Sequence, residues 1–169
     1  IAGIAVLLFG IVFLSSCRTA EIVSYVHEPS EYFYRDMNID AGQLNEFVSG
    51  GVLFVVDVKE VQHGQYLVWL GLYSDEWQSL TIHGAQIVGE GWGKNNKIDK
   101  EVTIEAAVPL STLLKSSLQL FIVEGAILNQ VISNGSDIIL EVSYTIAGSR
   151  EVMSFSIKRK VEKQSIFRT

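Results

Sequence analysis

Asp36, Asn38 and Asp40 stand at the D-x-N-x-D spacing that opens an EF-hand-type calcium loop, where alternate side-chain oxygens converge on one cation. Such a loop needs glycine at its sixth position and a bidentate glutamate at its last. Ala41 and Phe47 occupy those places here, with Gly42 and Glu46 each off by one. Asp40 has a competing role: with Gln43 it has capping-box spacing, and Leu44, Phe47 and Val48 then share one face of a short helix stopped by Ser49-Gly50-Gly51. Asp36, Asn38 and Asp40 are therefore read as a capped loop, and no metal is expected.

His27, His63 and His83 share no ligand spacing. Antiparallel strands could set His63 or His83 beside Asp57 or Asp75, but edge or turn histidines are the expectation. Trp77 follows Asp75-Glu76, and Trp92 lies in Gly89-Glu90-Gly91-Trp92-Gly93. A large aromatic beside carboxylates suits a sugar or peptide surface, so Trp77, Trp92, Asp75 and Glu76 are the candidate ligand-binding residues, with Trp92 expected to be the most exposed. The competing reading, which we favour, has both tryptophans capping the ends of the fold. The glycine run lacks the Lys-Ser/Thr of a phosphate loop, and no helix follows it. There is no G-x-S-x-G and no S-x-x-K set with its partner motifs. No catalytic residue and no cofactor is expected.

The elements that must position these residues are mostly strands. EIVSYVHEP (21–29) reads as a first edge strand ended by Pro29, followed by the aromatic cluster Tyr32-Phe33-Tyr34. Residues 51–61 and 65–73 are rich in β-branched and aromatic residues across a hairpin-sized gap. Residues 78–88 read as a strand bulged near Gly84, and 89–97 as a Gly/Asn-rich loop. Residues 101–108 alternate, with Val102, Ile104 and Ala106 on one face, until Pro109. Residues 118–128 form a nearly continuous apolar run, read as a strand near a sheet centre. After the turn signal Asn134-Gly135, residues 137–147 and 151–162 form a hairpin across Gly148-Ser149, with Met153, Phe155, Ile157 and Val161 facing in. Seven or eight strands at short spacing, with no long amphipathic helix, predict an all-β antiparallel sandwich, Ig-like or transthyretin-like. Trp69 on a central strand and Tyr144 late in the chain suit such packing.

The chemistry of the N-terminus is of another kind. Residues 1–16, IAGIAVLLFGIVFLSS, hold no charge, while every Lys, Arg, Asp and Glu lies from Arg18 onward. This asymmetry accounts for a mean hydropathy of +0.27 in a chain that is only 19% charged. The run suits a signal-peptide h-region and is short for a bilayer span of roughly 20 residues. A basic n-region is expected upstream of Ile1. Leu14-Ser15-Ser16-Cys17 resembles the lipobox of bacterial lipoproteins. The resemblance implies that Cys17, the single cysteine, is lipidated and becomes the first mature residue. An uncleaved anchor, or a buried thiol after a membrane helix, would read the same residues differently. Arg18, where Asp would favour inner-membrane retention, implies the outer membrane.

The expected organisation is a signal peptide over 1–16, a lipidated tether and first strand over 17–31, and one sandwich domain over 32–169. The expected partners are the membrane, through lipid on Cys17, and an envelope protein. A net charge of −6 argues against nucleic acid. The basic run Lys158-Arg159-Lys160…Lys163 reads as a solvated edge strand, with attraction to anionic lipid head groups as the alternative. The function expected is a lipid-anchored binding, interaction or structural module of the cell envelope without catalysis. The alternatives are an accessory lipoprotein of a secretion or efflux machine, and a carbohydrate-binding or hydrolytic protein using the Trp77 and Trp92 loops with Asp75, Glu76 or Glu90. Hydrolysis would require two carboxylates about 5–10 Å apart across a cleft.

Overall fold

Strict alternation in the last third of the chain sets the architecture. In Ile138–Ile146 every second side chain, from Ile138 through Leu140, Val142 and Tyr144 to Ile146, is buried. The strand therefore has one face toward a core and one toward solvent. The computed structural model describes residues 18–36, 44–62, 64–104, 114–133 and 137–166. Their elements are β1 (Arg18–Val26), α1 (Glu28–Asp36), a 3-10 turn (Asn45–Phe47), β2 (Val48–Ser49), β3 (Val52–Gln62), β4 (Gln65–Ser74) and β5 (Gln78–Gly89). After these come β6 (Trp92–Ile104), β7 (Leu114–Glu124), α2 (Gly125–Ser133), β8 (Ile138–Ile146) and β9 (Ser149–Ile166).

The strands form an antiparallel β-sandwich of two sheets, ordered β1-β9-β8-β5-β6 and β2-β3-β4-β7. Two compact units divide the chain. Among the described residues, one holds 18–24 and 160–166, and the other holds the rest, from Tyr25 to Arg159. In the first, β1 is the neighbour of the end of β9, and Ile22 and Val161 are exposed.

The core lies in the larger unit. Phe54, Leu70 and Leu72 of one sheet and Ile82, Ile87, Leu140 and Phe155 of the other are essentially inaccessible to water. Each such side chain contributes roughly 1.5–3 kcal/mol by leaving water. Phe54 lies 4.6 Å from the Tyr144 ring. At one end Ser49 and Tyr144 both donate hydrogen bonds to Glu151, at 2.6 and 2.8 Å, which ties β2 to β8 and β9 across the sheets.

Both edges of the four-stranded sheet are covered. Beyond its short pairing with β2, β3 is met by α1, where the Val56 amide donates to Ser30 Oγ at 2.8 Å. On the other edge, Lys94 and Asn96 of β6 donate to the Ile122 and Leu120 carbonyls of β7, at 3.0 and 2.6 Å. Side chains thus occupy backbone groups that would otherwise template a further strand.

Several expectations change. Pro29 does not merely end a strand: it sits in the first turn of α1, where its missing N–H costs nothing. That helix also holds the aromatic cluster, and its Phe33 packs 4.7 Å from the Tyr73 ring. The glycine-rich stretch 89–97 is not a loop. Glu90-Gly91 is a two-residue turn, with Gly91 at φ +73°, and β6 begins at Trp92. Residues 118–128 are not one central strand, because β7 is an edge strand and its chain turns helical at Gly125. There a Cβ would lie 2.7 Å from the Tyr66 ring. Val161 is exposed instead of facing in, and Val48, read as sharing a helix face with buried Leu44 and Phe47, is exposed at the start of β2. The basic run on β9 begins beyond Ile157, the last residue paired with β8, so that side of the strand is open, as expected of an edge. The bulge at Gly84 and the turn at Gly148 are found where expected. Asn38, Asp40, His63, Pro109, Asn134-Gly135 and the leader with Cys17 lie outside the described residues.

Candidate functional site

The bulge in β5 shapes the outer face of the larger sheet. Pairing of β5 with both β6 and β8 shifts register between Ile82 and Gly84. Below the shift Ile82 and Leu80 point into the core, and above it Ala85 and Ile87 do, which leaves His83 on the solvent side. Glycine is required at position 84, because a Cβ there would lie 2.8 Å from the Asn96 carbonyl oxygen of the paired strand. The Ser143 hydroxyl donates to the Gly84 carbonyl at 3.3 Å and steadies the distortion. Across from it, Asp99 adopts φ +44°, a left-handed conformation that Asp tolerates better than most residues.

These backbone features bring three side chains into sequence. His83 Nε2 lies 2.7 Å from Thr145 Oγ1, and His83 Nδ1 lies 3.5 Å from Asp99 Oδ1. Lys97 Nζ is 2.9 Å from the other Asp99 oxygen. The hydrogen bond from Lys97, followed by further favourable contacts including His83, holds the Asp99 carboxyl below the usual carboxylate range. The same pair raises Lys97. Both side chains are well exposed, so this network orders the face more than it stabilises the fold.

Around the network the sheet forms a concavity of about 400 Å3. Among its lining residues His83, Lys97, Asp99, Glu141 and Arg150 carry or can carry charge and Gln86, Asn95 and Ser143 supply neutral donors and acceptors, while apolar atoms make up more of the exposed lining. Val152, 62% exposed, is the large apolar side chain among them.

A second histidine is placed very differently. His27 is buried between the rings of Phe47, 4.6 Å away, and Phe155, 5.2 Å away. Ser30 Oγ, already accepting from the Val56 amide, lies 2.7 Å from His27 Nδ1. The network is satisfied if the serine hydroxyl donates to a neutral imidazole whose proton is on Nε2. Burial drives the His27 pKa down to about 4, only partly opposed by nearby Glu28. It was expected at an edge or turn; it is a core residue just before α1, bonded to the Ser30 that joins α1 to β3.

The structure does not bring the sequence-predicted binding residues together. Trp77, 65% exposed, sits with exposed Asp75 and Glu76 in the β4–β5 turn. Trp92 pairs with Gly89 at the opposite end of β5 and is half-buried, so Trp77 is the more exposed of the two. At ~3.3 Å per residue the length of β5 holds the two ends too far apart for one small ligand. His83 meets Asp99 rather than Asp57 or Asp75, and Glu90 stays on the hairpin turn. Among the described residues no three His, Cys, Asp or Glu are grouped to hold a metal. The one sequence signal for the His83 site was Gly84 inside a strand; the partners Thr145 and Asp99 depend on register.

No protein-family model matches the chain, and no curated protein matches it in sequence. Among solved structures it is similar to a protein from Archaeoglobus fulgidus, with 17% identity and a TM-score of 0.31. The match covers 69% of this chain and 97% of that one.

Proposed function

We propose that this chain is a lipid-anchored binding or interaction module of the cell envelope, held to the outer membrane through Cys17 and facing the periplasm, and that it is not an enzyme. The observation that carries the reading is Leu14-Ser15-Ser16-Cys17, directly after an uncharged apolar run and containing the single cysteine. Each buried methylene of an acyl chain adds roughly 0.8 kcal/mol, so two or three chains anchor a protein stably without a membrane-inserting surface of its own. Among the described residues no helix is long and apolar enough to cross a membrane.

Binding is favoured over turnover by the position of Thr145. Hydroxyl, imidazole and carboxylate stand in the order of a nucleophile, its base and an orienting acid. Acyl transfer also needs preorganised donors for the developing oxyanion. β8 is an inner strand, paired with β5 on one side and β9 on the other, so its amides are committed to the ladders.

Metabolic labelling with palmitate in a bacterial host tests the anchor. Label should enter the protein and be lost on Cys17→Ser, with the variant released from the membrane fraction. An unlabelled wild-type chain would rule the reading out.

A further inference from the structure

We propose that the concavity beside the β5 bulge binds a short extended peptide with free ends, its ammonium group at Glu141 and its carboxylate at Arg150. This deepens the binding-module reading above by naming a ligand class; it rests on the geometry of the sheet and not on the lipid.

Charge complementarity chooses the ligand. Lys97 and Asp99 satisfy each other, and His83 is engaged by Thr145 and Asp99. Glu141 and Arg150 make no ion pair with any described residue, although Glu141 is half-buried. No cation of the described residues stands beside this carboxylate, which leaves it open to a ligand ammonium. Arg150 presents the planar fork that matches a carboxylate.

Spacing fixes the ligand length. Arg150 lies opposite Thr145 in the β8–β9 ladder, and Glu141 lies opposite Ser154. The two charges are therefore separated by four residues along the sheet, or ~13 Å at the rise of a strand. An extended tetrapeptide spans about the same distance between its terminal groups. Between the charges lie Ser143 and, opposite it, exposed Val152, which offers apolar contact for one side chain, while Gln86 and Asn95 stand in register beside Glu141 with donors and acceptors suited to the peptide's first amides. A dipeptide would reach one charge only. A peptide blocked at both ends would offer neither.

Calorimetric titration of the full chain in detergent with tetra-alanine bearing free termini tests the proposal. Dialanine and the N-acetylated tetra-alanine amide serve as comparison probes. The free tetrapeptide should bind at least about tenfold more tightly than either, and E141Q and R150Q should each lose about tenfold, in line with a charge-assisted contact. Both substitutions are on the solvent face, and unchanged thermal unfolding would show that the fold is intact. Absence of heat with the free tetrapeptide, equal binding of the blocked peptide, or unchanged affinity in both variants would overturn it. So would sedimentation showing that the face is occupied by a second copy of the chain. The Cys17→Ser protein should bind as the wild type does, so failure of the anchor and failure of this site are read separately.

Discussion

His27 and His83 are the same residue in two opposite settings. His27 sits among phenyl rings, with a serine hydroxyl as polar partner and its pKa pushed down to about 4. His83 stands on the outer face between a hydroxyl and a carboxylate, where the sheet is bulged and charged. The contrast teaches that the pleat of this sandwich separates the positions that carry stability from those left to solvent. Inward positions hold the sheets together, and outward positions one residue away face solvent.

Two residues on opposite faces of β9 should show the largest difference. Phe155 is fully buried against Phe47 and His27, whereas Val152, three residues earlier on β9, is 62% exposed. Phe155→Ala should lower the unfolding free energy by about 3–5 kcal/mol through lost burial and the cavity left behind. Val152→Ser should stay within about 0.5 kcal/mol. Urea denaturation of both variants measures the contrast, and equal losses would break it.

The pH dependence sharpens it further. The folded pKa of His27, about 4, lies below the 6.5 of an ordinary imidazole, so the unfolded chain takes up the proton first. The imidazole's neutral form is compatible with the fold at full stability above about pH 6.5. Stability then falls as pH drops toward 4, where the linkage amounts to about 3 kcal/mol, and this contribution levels off below. His27→Gln should flatten that part of the profile. Carboxylates such as Asp99 and Glu151, both held below their usual range, lose stability at lower pH, so the difference between wild type and variant isolates the histidine. A variant that retains the full slope between pH 6.5 and 4 would show that His27 is not its source.

The smallest effect is expected on the outer face. His83→Gln removes a partly exposed ring from a solvated network and should change the unfolding free energy by less than about 0.5 kcal/mol. A loss comparable to that from changing His27 would mean that the bulge is a structural pillar instead of a recognition feature.

The hairpin of β8 and β9 was legible because its burial follows a period of two, from Ile138 to Ile146 and from Met153 to Ile157. β6 was not. Its Lys and Asn residues read as loop because their inward positions face the open edge of the other sheet, where Lys94 and Asn96 bind β7 carbonyls instead of filling a core. The apolar run through 118–128 carried no period that separates strand from helix, and the close approach of Gly125 to Tyr66 decides it. The site escaped for a related reason. Thr145, His83 and Asp99 belong to three strands, and nothing in their spacing announces the register that joins them. Gly84 was visible, but only as a bulge.

The central claim is that this sandwich works while tethered by lipid, and the intact mass of protein extracted from bacterial membranes with detergent tests it most directly. The account predicts a polypeptide beginning at Cys17 and heavier than its sequence by two or three acyl chains on that residue. A chain that retains residues 1–16, or one that begins at Cys17 with no added mass, would contradict it.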